Sequence, residues 1–247
     1  MFPRDDHAAL SRAHFRRLRQ YYRSAGWPCL DNLEVDLLAA GMIIRVTDGT
    51  GRESMLVTDK GITALHRYVN GNRRMRDAHE ALVARVAASL AREGRLAFRG
   101  LRLRAQTEGG WALTRPDVYS IRQTNVEAYL EPTVHEIKVN RADLLADLRA
   151  PAKRAAYQAV AREFYYVLAE NVGDPDEIPG DCGVIIANAS AFQVVRPSPR
   201  RNVVLRTDHW VALARARCEV VDVEPEQLEL GDDPADRETD RPEETAT

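Results

Sequence analysis

Cysteine is scarce in this 247-residue chain: Cys29, Cys182 and Cys218 stand far apart, which excludes a disulfide framework and a cysteine-rich zinc site. Long apolar runs are missing too. No stretch approaches the roughly 20 residues a bilayer requires, and the opening Met-Phe-Pro-Arg-Asp-Asp holds no apolar signal core. The expected address is the cytoplasm, with no membrane contact. Neither G-x-G-x-x-G nor G-x-x-x-x-G-K-[ST] occurs, and Gly49-Thr50-Gly51 reads as a hairpin turn, so a nucleotide-cradling loop is excluded. His79-Glu80 opens like H-E-x-x-H, but Val83 stands where the second histidine must be, which removes a zinc-protease helix. There is no G-x-S-x-G elbow. Cys182, in Gly180-Asp181-Cys182-Gly183 with no histidine nearby, is expected as a small buried thiol.

What is present begins with an uneven charge. The chain carries −2 overall, yet residues 219–247 hold 12 Asp and Glu against 2 Arg, a net of −10, which leaves +8 on residues 1–218. The body is basic and the tail acidic. With Pro225, Pro234 and Pro242 among its carboxylates and few large apolar residues, the tail is expected to be disordered. Its role is either solubility or competition with nucleic acid for the basic body.

Residues 6–25 read as a helix, with Phe15, Leu18, Tyr22 and Ala25 on one stripe and Arg12, Arg16, Arg19 and Arg23 on another. Four aligned guanidinium groups suit phosphates; a solvated helix face is the alternative. A helix follows over Leu30–Ala40, stopped by Gly41, then two short strands, Met42–Val46 and Ser54–Val57, around Thr-Asp-Gly-Thr-Gly-Arg. Thr58 can cap the next helix, which carries Ile62, Leu65 and Val69. Asn70-Gly71-Asn72-Arg73-Arg74 reads as a polar linker, so the expected modules are 1–72, 73–218 and the tail 219–247.

The second module is expected to start with a helix over Asp77–Arg92. Strands follow at Leu96–Ala105, behind Pro116 through Ile121, at Val134–Val139, Glu163–Leu168, Gly183–Ala187 and Phe192–Val195, with helices at Ala152–Ala161 and Thr207–Ala216. This order predicts an α/β layering in which helices cover a mixed central sheet. In an extended strand Glu136 and Lys138 project to the same face while Ile137 faces the core. His135, on the opposite face, is set aside from catalysis. A neighbouring strand can bring Asp117 beside Glu136. Two close carboxylates repel each other unless a divalent cation lies between them, and an oxygen-lined site of that kind suits Mg²⁺ with substrate phosphate. The same residues could instead form a structural ion-pair network.

Pro116-Asp117 followed by Glu136-Ile137-Lys138 resembles the PD-(D/E)xK signature of the restriction-endonuclease-like superfamily. Glu136 through Asp147, then Lys153, Tyr157, Phe164-Tyr165-Tyr166-Val167 and Ile178 through Ala187, more specifically resembles its MmcB-like DNA-repair branch, over roughly residues 77–216. That resemblance implies an α-β-β-β-α-β core and a DNA endonuclease using Mg²⁺, with Mn²⁺ substituting. Asp117 and Glu136 would be the metal ligands and Lys138 the catalytic lysine. Glu80 would be an additional metal-binding acid, or an exposed helical glutamate. Asp143 and Asp147 match acidic positions of the branch, with capping or pairing to Arg141 or Arg149 as the other reading. Tyr157 and Gln158 would border the cleft, and Lys153, Arg154 and Arg162 would meet phosphates, unless they are packing and solvated surface.

Leu38 through Ile43, with Val57-Thr58-Asp59-Lys60-Gly61-Ile62 and Leu65, resembles the wing region of winged helix-turn-helix proteins. Only two helices precede this wing where that family usually has three, so it implies either DNA reading or protein docking. The expected function is a metal-dependent DNA endonuclease in repair or defence, with RNA as an open alternative substrate. The rival is a DNA-binding or regulatory protein that keeps the fold without catalysis. A homodimer, and a protein partner at the N-terminal module or the tail, also stay open.

Overall fold

The computed structural model describes residues 10–24 and 26–219. It divides into two compact units, one ending at Ala78 and the other starting at His79. Residues 1–9, Ala25 and 220–247 lie outside the described residues, so the expected helix start at residue 6, the place of Ala25 on its stripe and nearly all of the expected acidic tail fall there.

In the first unit, α1 (Arg12–Arg23) and α2 (Asn32–Ala39) precede a hairpin of β1 (Ile43–Thr47) and β2 (Glu53–Val57), followed by α3 (Asp59–Arg92). Leu18, Tyr21, Leu37, Met42, Ile43, Met55 and Leu65 form its core. The buried tyrosine is Tyr21, not Tyr22, because its hydroxyl donates to the buried Glu34 carboxylate at 2.7 Å while Tyr22 stays exposed. Leu30 also departs from expectation: it has a φ of 51° and lies exposed ahead of α2, whose cap is Asp31. Asp48 orders the hairpin turn by accepting from the Thr50 and Arg52 amides. Thr58 caps α3 as expected, accepting from the Gly61 amide at 3.1 Å.

Residues 70–74, expected as a linker, are helical and lie inside the 34-residue α3. The linker reading is therefore corrected. A glycine costs a helix about 1 kcal/mol relative to alanine, and an established helix propagates through such a residue at far less cost than starting anew.

The second unit is α/β. Its strands are β3 (Arg95–Arg99), β4 (Leu103–Thr107), β5 (Gly110–Thr114), β6 (Val118–Arg122), β7 (Thr133–Lys138), β8 (Glu163–Ala169), β9 (Gly183–Ala187) and β10 (Phe192–Arg196). The six-stranded mixed sheet runs β10-β9-β8-β7-β6-β3, with β7-β8 and β8-β9 parallel and the other pairs antiparallel. On one face Ile137, Val167, Val118 and Ala97 pack against Leu82, Val83, Val86 and Ala87 of α3. On the other, Val134, Phe164, Tyr166 and Tyr119 pack with residues of α4 (Arg141–Leu148), α5 (Pro151–Gln158) and α6 (Thr207–Arg215). Alternation along β7 thus puts Ile137 in one apolar layer and Glu136 and Lys138 on the opposite side of the sheet.

The single strand expected over Leu96–Ala105 is two strands. Gly100, at φ +60°, turns the chain between β3 and β4, and the Arg115 guanidinium lies 3.3 Å from where a Cβ would stand. The β4–β5 hairpin that follows was not expected as a strand pair. Among the described residues no helix is long and apolar enough to cross a membrane.

Candidate active site

Parallel pairing of β7 with β8 carries β7 into the α4 turn, and antiparallel pairing of β6 with β7 brings the residue ahead of β6 alongside. Asp117 is that residue. Its Oδ2 accepts from the Ile137 amide at 2.8 Å and lies 3.3 Å from His79 Nε2 on α3. The Asp117 carboxylate therefore sits beside β7 next to Glu136. Bonding to Asp117, against the opposing effect of burial, raises the His79 pKa above its ordinary value.

Glu136 is 4 % exposed and Lys138 3 %. Lys138 Nζ is 3.0 Å from Glu136 Oε1, 3.2 Å from Asp143 Oδ2 and 3.6 Å from Asp147 Oδ1. Lys153, from α5, reaches the same Glu136 Oε1 at 2.6 Å and also pairs with Asp147. Asp147 is completed by the Tyr166 hydroxyl, which donates at 2.9 Å. Asp143 and Asp147 thus pair with the two lysines, while Arg141 pairs with Glu177 instead. Burial raises the Glu136 pKa, the nearby Asp117 charge adds to this, and the two lysines oppose it. Burial works to lower Lys138, but Glu136, Asp147 and Asp143 prevail and its pKa rises. Glu136 Oε2 is buried and has no hydrogen-bond partner among the described residues.

Asp117 and Glu136 open onto a cleft of about 1220 Å³. Its walls include Arg99, Arg102, Arg115, Arg215 and Arg217, together with His79, Glu80, Lys153, Tyr157 and Glu219. Lys138 does not line it; Lys153 is the amine that does. Tyr157 is almost wholly buried, donates its hydroxyl to the Arg115 carbonyl at 3.1 Å and carries the Lys153 ammonium 5.3 Å from its ring centre, so it packs and borders the cleft at once. Its pKa is pushed up by burial and by Glu136 and Asp117. Glu80 lies on the cleft wall with an exposed side chain, 3.7 Å from His79 Nδ1.

Several residues expected at phosphates sit elsewhere. Gln158 donates to Asp181 at 2.9 Å, Arg154 lies 4.0 Å from Asp181, and neither lines the cleft. Arg162 donates to the Ala128 and Val203 carbonyls. Cys182 is buried as expected, which raises its thiol to about 12. His135 is buried, stacks on Tyr165 at 5.8 Å and has its pKa lowered by burial to about 3. Arg12, Arg16 and Arg19 line a separate groove of about 570 Å³ in the first unit, beside Phe15 and Tyr68, whose rings stack at 4.1 Å. Arg23 is exposed on the same helix and outside that groove.

Sequence reasoning passed over His79, read only as part of a failed zinc motif, and the arginines of the cleft wall. The recurrence of Arg99 and Arg102 among apolar residues was the available signal for the latter; nothing local to His79 announces its bond to Asp117, 38 residues away.

Among the described residues no group of three or more His, Cys, Asp and Glu is arranged to hold a metal ion. A hard cation that keeps several waters needs only one or two carboxylates, and Asp117 with Glu136, whose Oε2 is unpartnered among the described residues, fits that smaller requirement on the same cleft wall.

No family model and no curated protein matches the chain. A solved structure, the SPO1766 protein of unknown function from Silicibacter pomeroyi, is similar at 23 % identity, covering 51 % of this chain and 74 % of its own, with a TM-score of 0.37.

Proposed function

We propose that the second unit is a metal-dependent nuclease of the restriction-endonuclease-like kind, hydrolysing a DNA phosphodiester to a phosphate monoester and a free hydroxyl. The observation that carries this reading is the juxtaposition of Asp117 with a buried, half-satisfied Glu136 at the base of an arginine-walled cleft. Asp117 and Glu136 would hold Mg²⁺ or Mn²⁺. The cation would polarise a phosphoryl oxygen and lower the pKa of a coordinated water.

The chain's own residues have distinct tasks. Lys138 and Lys153 both hold Glu136 Oε1, which fixes the carboxylate and would leave Oε2 for the cation. Lys153 also faces the cleft, where its ammonium can offset charge developing on phosphate. Arg102, Arg115 and Arg215 supply cationic positions for neighbouring phosphates. His79, on the cleft wall, holds the Asp117 carboxylate, and Glu80 beside it would be an additional acid for the cation.

The test is incubation of the full chain with single-stranded, nicked, branched and duplex DNA plus Mg²⁺ or Mn²⁺, beside Asp117→Asn and Lys153→Met. Wild type is expected to cut and both variants to lose at least two orders of magnitude in rate. Equal cutting by all three would remove the assignment.

One observation favours the rival, a DNA-binding protein without catalysis. Two lysines already compensate Glu136 through a single oxygen, an arrangement that is stable without a cation. Calorimetric titration with Mn²⁺ separates the two: the nuclease reading expects a binding isotherm abolished in Asp117→Asn, and the rival expects none.

A further inference from the structure

The β4–β5 hairpin turns two faces in different directions. Leu103, Ala105 and Thr114 point inward and are buried, whereas Arg104, Gln106, Trp111 and Leu113 are exposed and, by register, lie opposite one another in the pairs Arg104–Leu113 and Gln106–Trp111. Trp111 is 56 % exposed and Leu113 68 %. Such a surface gains nothing for the core.

Two guanidinium groups lie over the Trp111 ring, Arg104 at 4.7 Å and Arg206 at 4.9 Å from its centre. Arg206 is fixed there, because it donates to the Arg104 carbonyl at 2.7 Å and pairs with Asp208 at 2.8 Å. Arg104 has no acidic partner among the described residues. Two residues earlier, Arg102 lies on the wall of the candidate active cleft. Residues two apart in an extended chain point the same way, roughly 7 Å apart, so the cationic lining of the cleft continues onto the hairpin and ends at an aromatic ring.

We infer that this hairpin face is a stacking platform for an unpaired base, and that the molecule's ligand is single-stranded nucleic acid with its backbone along Arg102 and Arg104 and a base on Trp111. The charge selects a polyanion. The part of the ring left exposed beside its two guanidinium neighbours selects an unpaired base, because a base inside a duplex is already stacked on its neighbours and cannot reach it, whereas base-on-aromatic stacking is a recurrent, sequence-tolerant device in single-strand binding. The inference rests on reading the cleft as a nucleic-acid site, but not on catalysis there.

The experiment measures binding without any divalent cation. Full chain in EDTA is titrated against a labelled oligo-dT of about 15 nucleotides, long enough for a single-strand footprint, and against a duplex of equal length, by fluorescence anisotropy. Trp111→Leu keeps the apolar bulk and removes the ring face; Trp111→Phe keeps a smaller ring. Wild type is expected to prefer the single strand, Trp111→Leu to lose at least about fivefold in single-strand affinity with duplex affinity unchanged, and Trp111→Phe to recover most of the loss. Circular dichroism of the variants guards against a folding defect, and an Arg104→Gln variant, which leaves the hairpin hydrogen bonds in place, is expected to weaken single-strand binding with a smaller salt dependence. Equal affinity of wild type and Trp111→Leu for the single strand, or a wild-type preference for duplex, overturns the inference and leaves the face to a protein partner. Loss of binding in Trp111→Leu alongside absent cleavage by wild type removes catalysis and keeps the platform. Cleavage that depends on Asp117, with binding indifferent to Trp111, does the reverse.

Discussion

Arg12, Arg16, Arg19 and Arg23 of the first unit keep their guanidinium groups exposed, with no ion-pair partner among the described residues, whereas Lys138 of the second unit is 3 % exposed and touches Glu136, Asp143 and Asp147. Exposed charge costs a fold almost nothing, so a row of arginines on α1 is compatible with solvation alone. Buried charge is different. Desolvating several charged groups is expensive and their mutual attraction repays it only with good geometry, so a fold that keeps two lysines and two or three carboxylates around β7 retains them in spite of the cost. Burial makes the β7 cluster a specific arrangement that a fold does not keep for stability alone, whereas the α1 row needs a binding measurement before it means more than solvation.

The sharpest way to break that contrast is to remove the shared carboxylate. Glu136→Ala would leave Lys138 buried with one partner fewer and Lys153 with only Asp147. Breaking a buried pair typically costs 3–5 kcal/mol. Because Lys138 keeps Asp143 and Asp147, the expected loss is at the lower end, about 3 kcal/mol, read as a shift in the urea midpoint of the second unit. A shift no larger than that of an exposed substitution would mean that the cluster is well hydrated and that its charges are as cheap as those on α1.

A second, smaller effect separates the two sides of β7. His135 faces away from Glu136 and is buried, and burial, with the Arg95 charge adding to it, lowers its pKa to about 3. Its folded pKa lies below the unfolded value of about 6.5, so the unfolded chain binds the proton first. The stability this contributes is fully present above about pH 6.5 and is lost as pH falls from there toward 3. In His135→Phe, which keeps the stacking on Tyr165, the stability of the second unit is expected to fall less steeply between pH 6.5 and 5, by up to about 1.4 kcal/mol per pH unit at the limit of one differential proton. Parallel curves for the two proteins would show that His135 takes up its proton over the same pH range in the folded and unfolded chains.

How much of this could be read beforehand differs between backbone and site. The α/β layering, the strands from β6 to β10 and the opposite facing of Ile137 and Glu136 follow from local patterns of period two and from turn residues, which act within a few positions. At Gly100 the apolar alternation changes parity, from Leu96 and Phe98 to Leu101, Leu103 and Ala105, which a single strand over Leu96–Ala105 overlooks; the φ of +60° and the nearby Arg115 show why the glycine is there. The stretch 70–74 was missed for the opposite reason, as loop-like composition carried inside a helix begun elsewhere. In the site, the meeting of Asp117 with Glu136 and the shared face of Glu136 and Lys138 follow from alternation and pairing of strands, whereas Lys138 lies off the cleft lining. The second lysine on Glu136 comes from α5, 17 positions away, and its partnership depends on how that helix packs, which no local pattern encodes. Arg154 and Gln158 share that helix and turn toward Asp181, so proximity in sequence to Lys153 did not carry them into the cleft.

A third measurement tests Gly100. Alanine at a left-handed position costs roughly 1–2 kcal/mol, and here its methyl group would also meet Arg115. Gly100→Ala is therefore expected to destabilise the second unit by about 1 kcal/mol or slightly more and to weaken polyanion binding by displacing Arg115 from the cleft wall. Unchanged binding with reduced stability would separate the turn from the site.

The smallest expected stability effect belongs to the α1 arginines. Replacing Arg12, Arg16, Arg19 and Arg23 by alanine is expected to change the stability of the first unit by less than about 0.5 kcal/mol per position, since each side chain is exposed and alanine is the better helix former. The informative readout is the slope of log affinity against log salt for a DNA ligand. Each guanidinium that meets a phosphate releases counterions, and its loss lowers the slope by about one. Arg12, Arg16 and Arg19 line the groove beside Phe15 and Tyr68 while Arg23 does not, so the three groove residues are expected to lower the slope individually and Arg23→Ala to leave it unchanged. Four equal reductions would make the whole helix face a phosphate track. Four zeros would make the row solvated surface and leave the second unit as the sole carrier of nucleic-acid affinity.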